Sequence, residues 1–274
     1  MLYLERFPAA PLRGLVHKLW YAHAPEISHA RERVLPTGRA QAILNLDCEF
    51  LHDCPEGGGE VRVAPALVVG ARSTYEIVAC RDMTHLIGVV FEPGGFAAFA
   101  PGPVDLFSNR SVALDDVWGA AARQLRDRLR ELPTVHARLR CLEEFLAGRL
   151  AAAPALAGRH RHGAVQFALA RFAQAPSVTT VRAAARGAGW SERRFSQVFR
   201  EAVGLTPKVW CRLQRFQRAV QLLHAGGDVP WAELSLDCGF YDQSHFANEF
   251  RAFSGVDATT YSAQRTQWTN HVRV

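Results

Sequence analysis

The sequence predicts an α+β chain: a small N-terminal β-barrel or sheet domain with a helical hairpin, then an all-α domain of two helix-turn-helix motifs joined by a long helix. Three observations predict it. Short apolar runs separated by Gly and Pro fill roughly the first 110 residues. Apolar steps of three and four take over between residues 114 and 150. The last third of the chain then repeats itself at an offset of 51 residues.

In the first region, residues 41–46 and 66–69 are short apolar runs, and Tyr75, Ile77 and Ala79 alternate with polar neighbours. Residues 85–91 are almost continuously apolar and end at Glu92-Pro93-Gly94-Gly95, after which a helix is expected. A strand apolar on both faces belongs in the middle of a domain, so an enclosed apolar pocket is expected there, lined by Trp20, Tyr75 and Phe91. In the second region Leu114, Trp118, Ala121, Leu125, Leu129 and Leu132 form one helical stripe. Beyond Pro133, Val135, Leu139, Leu142, Leu146 and Leu150 form another. Arg123, Arg126, Asp127 and Arg130 mark the charged outer face. Two stripes exceed what one small barrel obviously needs, so the hairpin is expected to pair two copies into a homodimer. Residues 151–163, rich in Ala, Pro, Gly, His and Arg without a period, read as a linker. The resulting units are 1–112, 113–150, 151–163 and 164–267.

The repeat aligns Val178 with Val229, Trp190 with Tyr241, Phe195 with Phe246, Phe199 with Phe250, Arg200 with Arg251 and Gly204 with Gly255. Each copy reads as a short helix, a Gly-containing turn, a capped second helix and a terminating Gly. Ser177 and Ser191 serve as caps in the first copy, Asp228 and Asp242 in the second. Thr206-Pro207 opens the helix between the copies, whose stripe is Leu213, Phe216, Val220 and Leu223.

The composition is that of an ordinary globular chain, long enough for two domains, at 274 residues, 49% hydrophobic and 21% charged. Six scattered cysteines exclude a disulfide scaffold and fit a reducing cytosol. No apolar run approaches the roughly 18 residues that span a bilayer, and residues 1–8 lack a signal-peptide core. The expectation is a cytoplasmic chain with no membrane partner. Residues 159–274 carry 15 Lys and Arg against 8 Asp and Glu, whereas the rest carries 17 against 18. All of the excess positive charge therefore sits with the repeat, which points to a polyanion, double-stranded DNA first.

The strings GWSERRFSQVFREAVGLTP, RFQRAVQLL and CGFYDQSHFANEFRAFSG, over residues 164–265, resemble the DNA-binding domain of the AraC/XylS family of bacterial transcription regulators. Ala258 departs from the Pro usual in that family. VLPTGRAQAILNL and GVVFEPGG are similar, less specifically, to the family's effector domains. The resemblance implies a cupin-like N-terminal architecture, a small-molecule effector of unknown identity, and RNA polymerase as a further partner.

Phe195, Val198 and Phe199 mark the buried face of the first recognition helix, and Phe246, Phe250 and Phe253 that of the second. By correspondence with the family, Arg193, Ser196, Gln197, Gln243, Ser244, His245 and Asn248 occupy base-facing positions. Arg pairs bidentately with guanine and Gln with adenine. Arg194, Arg200, Lys208 and Arg251 are expected on phosphates. No catalytic residue, metal site or cofactor is expected. His17, His23, His29, His52 and His85 show no close pairing, Cys48 and Cys54 have no second pair, and Arg159-His160-Arg161-His162 lacks further ligands. The alternative function is a cupin-type small-molecule enzyme carrying a DNA-tethering domain.

Overall fold

A computed structural model of the chain describes residues 1–55, 57–152, 163–174, 180–226 and 230–274. All but the ends of the expected linker lie outside the described residues, as do the caps expected at Ser177 and Asp228. Two antiparallel sheets make up the N-terminal part. The first has the strand order β1 (Leu2–Arg6), β2 (Val16–His23), β9 (His85–Phe91), β4 (Gln41–Asn45), β7 (Ala66–Val69) and β10 (Ser111–Ala113). The second has the order β11 (His271–Arg273), β3 (Arg31–Val34), β8 (Glu76–Ala79), β5 (Leu51–Asp53) and β6 (Val61–Val63).

The doubly apolar run takes the position its composition demands. β9 lies between β2 and β4, with Ile87 opposite both Tyr21 and Leu44, and Ile87, Val89 and Phe91 are each fully buried. Gly94, with φ 79°, turns the chain into the 3-10 turn Gly95–Ala98 where a helix was expected. β2 was hidden in the sequence because a bulge between Val16 and Lys18 shifts its register. Leu19 and Tyr21 point inward, but Val16 is out of step with them and the alternation breaks.

The hairpin differs from expectation in three respects. Gly119, with φ 65°, divides the first helix into α1 (Leu114–Trp118) and α2 (Ala120–Glu131); α3 (Val135–Ala152) follows. Its leucines are spent within the chain: Leu125, Leu129, Leu139, Leu142 and Leu146 are at most 3% exposed and share one core with β2, β4 and β9. The chain's own sheet therefore covers most of the two stripes, while Leu132, Val135 and Leu150 stay only partly buried. Arg126, expected on the outer face, is buried. Its Nε donates to the Asn45 carbonyl at 2.8 Å and its Nη2 to the Cys48 carbonyl at 2.5 Å. Arg138 on α3 likewise reaches Tyr21 Oη and His85 Nε2, at 3.2 and 3.1 Å.

Among the described residues that follow are seven helices: α4 (Gly163–Gln174), α5 (Val181–Gly187), α6 (Glu192–Val203), α7 (Pro207–Ala225), α8 (Trp231–Asp237), α9 (Gln243–Ser254) and α10 (Ala258–Gln264). They enclose a second core around Phe172, Phe199, Phe216, Phe250 and Tyr261, all nearly inaccessible. This part was expected to end at 267 as a separate unit, but the chain runs back into the N-terminal part. β11 pairs antiparallel with β3, Val272 opposite Arg33. Leu35 and Ala71 belong to the helical core. Gln217 Nε2 donates to the Pro36 carbonyl at 2.7 Å, and the Tyr75 N–H donates to the Phe253 carbonyl at 3.1 Å.

Candidate nucleic-acid interface

Both helix-turn-helix motifs are built from the same parts. Thr180 caps α5, its hydroxyl accepting from the Ala183 N–H at 3.1 Å. Ser191 caps α6 through the Arg194 N–H at 3.3 Å, and Asp242 caps α9 through the His245 N–H at 2.7 Å. A side-chain oxygen at each cap satisfies an N–H of the first turn that has no partner inside the helix. α6 and α9 end at Gly204 and Gly255, in left-handed conformations with φ 94° and 71° that a side chain adopts only with strain. α8 has no side-chain cap and starts behind Pro230.

The recognition helices α6 and α9 stand 51 residues apart, as the repeat predicted, but α5 and α8 stand only 50 apart. The second turn therefore holds one more residue than the first, and the pairing of Trp190 with Tyr241 needs correcting. Trp190 matches Phe240: the N–H of each donates to the carbonyl five residues earlier, Ala185 and Ser235, at 3.0 and 2.9 Å. The additional residue is Tyr241, 85% exposed at the entrance to α9. Sequence reasoning missed its exposure because Tyr241 was aligned with Trp190, an aromatic residue of the turn. A count of residues between the helices carries the signal.

The buried faces are as expected. Phe195, Val198 and Phe199 of α6 and Phe246, Phe250 and Phe253 of α9 all point into the core. Outward, Arg193, Gln197, Gln243, Ser244 and Asn248 are exposed, while Ser196 and His245 are half-buried. Gln197 Nε2 donates to Glu201 Oε1 at 2.9 Å. His245 Nδ1 accepts from the Tyr241 N–H at 3.2 Å, so the ring proton sits on Nε2, which is a donor. Glu192 pairs with Arg182 at 2.7 Å. Glu249 takes a bidentate pair from Arg212, both bonds 2.7 Å. Burial opposes ionisation of Glu249, but the Arg212 guanidinium outweighs it and holds the carboxyl below the usual carboxylate range.

Among the residues expected on phosphates, Arg194 and Lys208 are exposed, near the N-termini of α6 and α7. Arg251 is 70% exposed, 3.8 Å from Asp257. Arg200 is committed elsewhere: it pairs at 3.0 Å with Asp105, in the 3-10 turn Val104–Phe107 of the N-terminal part. Ser108, just beyond that turn, donates to the Gly204 carbonyl. The C-terminal end of the first recognition helix is thus docked on the N-terminal part.

The three residues expected around an effector pocket do not converge. Phe91 is buried against Phe96 and Phe99. Trp20 alternates with inward Leu19 and Tyr21, so it lies on the opposite face of the sheet, against Gly88. Tyr75 sits at the seam with the helical part, against Gly255 and under the Arg33 guanidinium, 4.6 Å from the ring centre. Among the described residues, these three line no common space.

The geometry defines a class: a DNA-binding protein with two helix-turn-helix motifs in one chain. A family described as "Helix-turn-helix domain" matches residues 184–264, and one described as "Domain of unknown function (DUF6597)" matches residues 4–113. No curated protein matches the chain. The solved structures similar to it include an AraC-type DNA-binding domain protein from Chromobacterium violaceum, 25% identical over 38% of this chain and 94% of that one, with a TM-score of 0.34. They also include ToxT from Vibrio cholerae, 8% identical over 96% and 97% of the two chains, with a TM-score of 0.43. The C-terminal part thus holds a helix-turn-helix domain, preceded by a separate sheet-rich N-terminal part.

Proposed function

We propose that the chain reads an operator through two successive major grooves and answers to a small-molecule effector through its N-terminal domain. Arg193, Ser196 and Gln197 contact base edges in one groove, and Gln243, Ser244, His245 and Asn248 in the next. Arg194, Lys208 and Arg251 hold phosphates, and Arg200 joins them when it leaves Asp105. The observation that carries this reading is the pair of recognition helices with equally polar outer faces, in two motifs joined by the long helix α7. At ~1.5 Å per residue its 19 residues span about 28 Å, close to the ~34 Å of one DNA turn. The chain works in the cytoplasm, has no catalytic role, and meets RNA polymerase at the promoter. Pairing of two copies would use the outer face of the hairpin, where Arg128, Arg140 and Glu144 border a shallow groove. Light scattering should then give twice the chain mass.

Footprinting with purified protein tests the central reading. The protected site should consist of two blocks about 10 bp apart. Arg193→Ala should lose ~1–3 kcal/mol and relax base preference in one block only; Gln243→Ala should do the same in the other. Overlapping effects of the two variants on the same base pairs would sink the two-groove arrangement.

A further inference from the structure

Three donor atoms of different chemistry meet where the C-terminal strand joins the N-terminal sheet. His29 comes from the loop before β3, Glu32 from β3 itself, and Cys80 from the 3-10 turn Cys80–Asp82 after β8. One donor atom of each lies within 4.8 Å of the other two. Backbone pairing sets this juxtaposition. Arg31 faces Ala79 across β3 and β8, and the Cys80 N–H donates to the Ala30 carbonyl at 2.9 Å. His29 Nε2 is 2.5 Å from Glu32 Oε1, and the other oxygen, Oε2, is 2.6 Å from His271 Nδ1 on β11. The His29 and Glu32 side chains are 18% and 13% exposed, and Cys80 is 1% exposed.

We propose that His29, Glu32 and Cys80 bind a thiophilic divalent cation of the zinc class at the docking edge of the C-terminal strand. The donor set selects the class. Imidazole nitrogen, carboxylate oxygen and thiolate sulfur together suit zinc, whereas magnesium and calcium take oxygen donors. In a tetrahedral site with bonds of ~2.0–2.3 Å the donors stand about 3.3–3.8 Å apart. Side-chain rotation of roughly 1 Å closes this cluster, and the backbone pairing of β3 with β8 need not change. Three protein ligands leave a fourth position for water. On binding, the Cys80 thiol loses its proton to solvent, the His29 ring keeps a proton only on Nδ1, and the thiolate sulfur and the freed Nε2 bond the cation. Glu32 offers Oε1 to the ion and keeps Oε2 for His271, so a residue of the C-terminal strand orients a metal ligand. The ion thereby favours the docked strand over the released one.

The test uses the full chain, stripped with a chelator and titrated with Zn²⁺ against a chromophoric competitor, and with Co²⁺ followed by absorption. A single equivalent should bind, and the cobalt form should show a thiolate-to-cobalt charge-transfer band. Cys80→Ser should abolish that band. His29→Gln, in a loop, should weaken Zn²⁺ binding at least about tenfold without changing the melting temperature of the metal-free protein. Cys48→Ser, at the least buried of the six cysteines, should leave both signals intact. If Cys80→Ser does not fold, His29→Gln decides alone. The proposal is overturned by the absence of stoichiometric binding, by binding that survives in His29→Gln, or by a cobalt spectrum without the thiolate band.

Discussion

At the scale of single residues, the second recognition helix is held at its outer surface by charge. Glu249 lies on the same helix as His245 and Asn248 but is occupied by Arg212 of α7, whose guanidinium also sits 5.4 Å from the Phe253 ring centre. A carboxyl held below its ordinary range binds fewer protons in the folded state than in the unfolded one. Its contribution to stability is present above the unfolded pKa and lost as pH falls through the folded one. Glu249→Gln should therefore flatten the acid limb of the stability curve below about pH 5. Urea melts at stepped pH measure this, and an unchanged acid limb would show that the pair contributes nothing. Burial pushes the thiols of Cys211 and Cys238 in the same domain up to about 11, so neither is a reactive thiolate near neutral pH.

At the scale of elements, the hairpin shows what an apolar stripe does and does not say. Steps of three and four from Leu114 onward located α1, α2 and α3, because helical periodicity depends only on local geometry. The partner of a stripe is a tertiary matter, and here it is the chain's own sheet. Leu125→Asp places an unpaired charge in a filled core. It should cost more than about 3 kcal/mol of stability. Denaturant unfolding checks this, and a stable variant with a changed mass would restore the interface reading. Arg126 teaches the converse. Its charge reads as solvent-facing, yet the backbone carbonyls of Asn45, the last residue of β4, and Cys48 just past it draw it inside.

At the scale of the whole molecule, the two halves are joined at both ends of the helical domain. Asp105 holds Arg200 near one recognition helix, and β11 adds a strand to the second sheet behind the other. If Arg200 meets a phosphate as proposed, its pair with Asp105 must open first. Asp105→Asn should therefore tighten binding to all sequences alike and steepen the dependence of log affinity on log salt by about one unit. Fluorescence anisotropy across a salt series is the measurement, and an unchanged slope would place Arg200 away from the phosphates.

The sequence by itself determined the two helix-turn-helix motifs, their polar outer faces and the excess of positive charge around them. Each of these rests on local rules: a capping oxygen, a helical period, a glycine that accepts positive φ. It also located β4, β7, β8 and β9, where apolar runs are unbroken or alternate cleanly. β2 escaped because its bulge breaks the alternation, and the shortest strands, β5, β6, β10 and β11, because three residues carry no period. Tertiary structure alone decided the rest. It set which surface covers each apolar stripe, that Arg200 faces Asp105, and that Cys80 meets His29 and Glu32. The reason is physical: residues 50 to 240 positions apart come together through packing and strand pairing, and local periodicity contains no record of either.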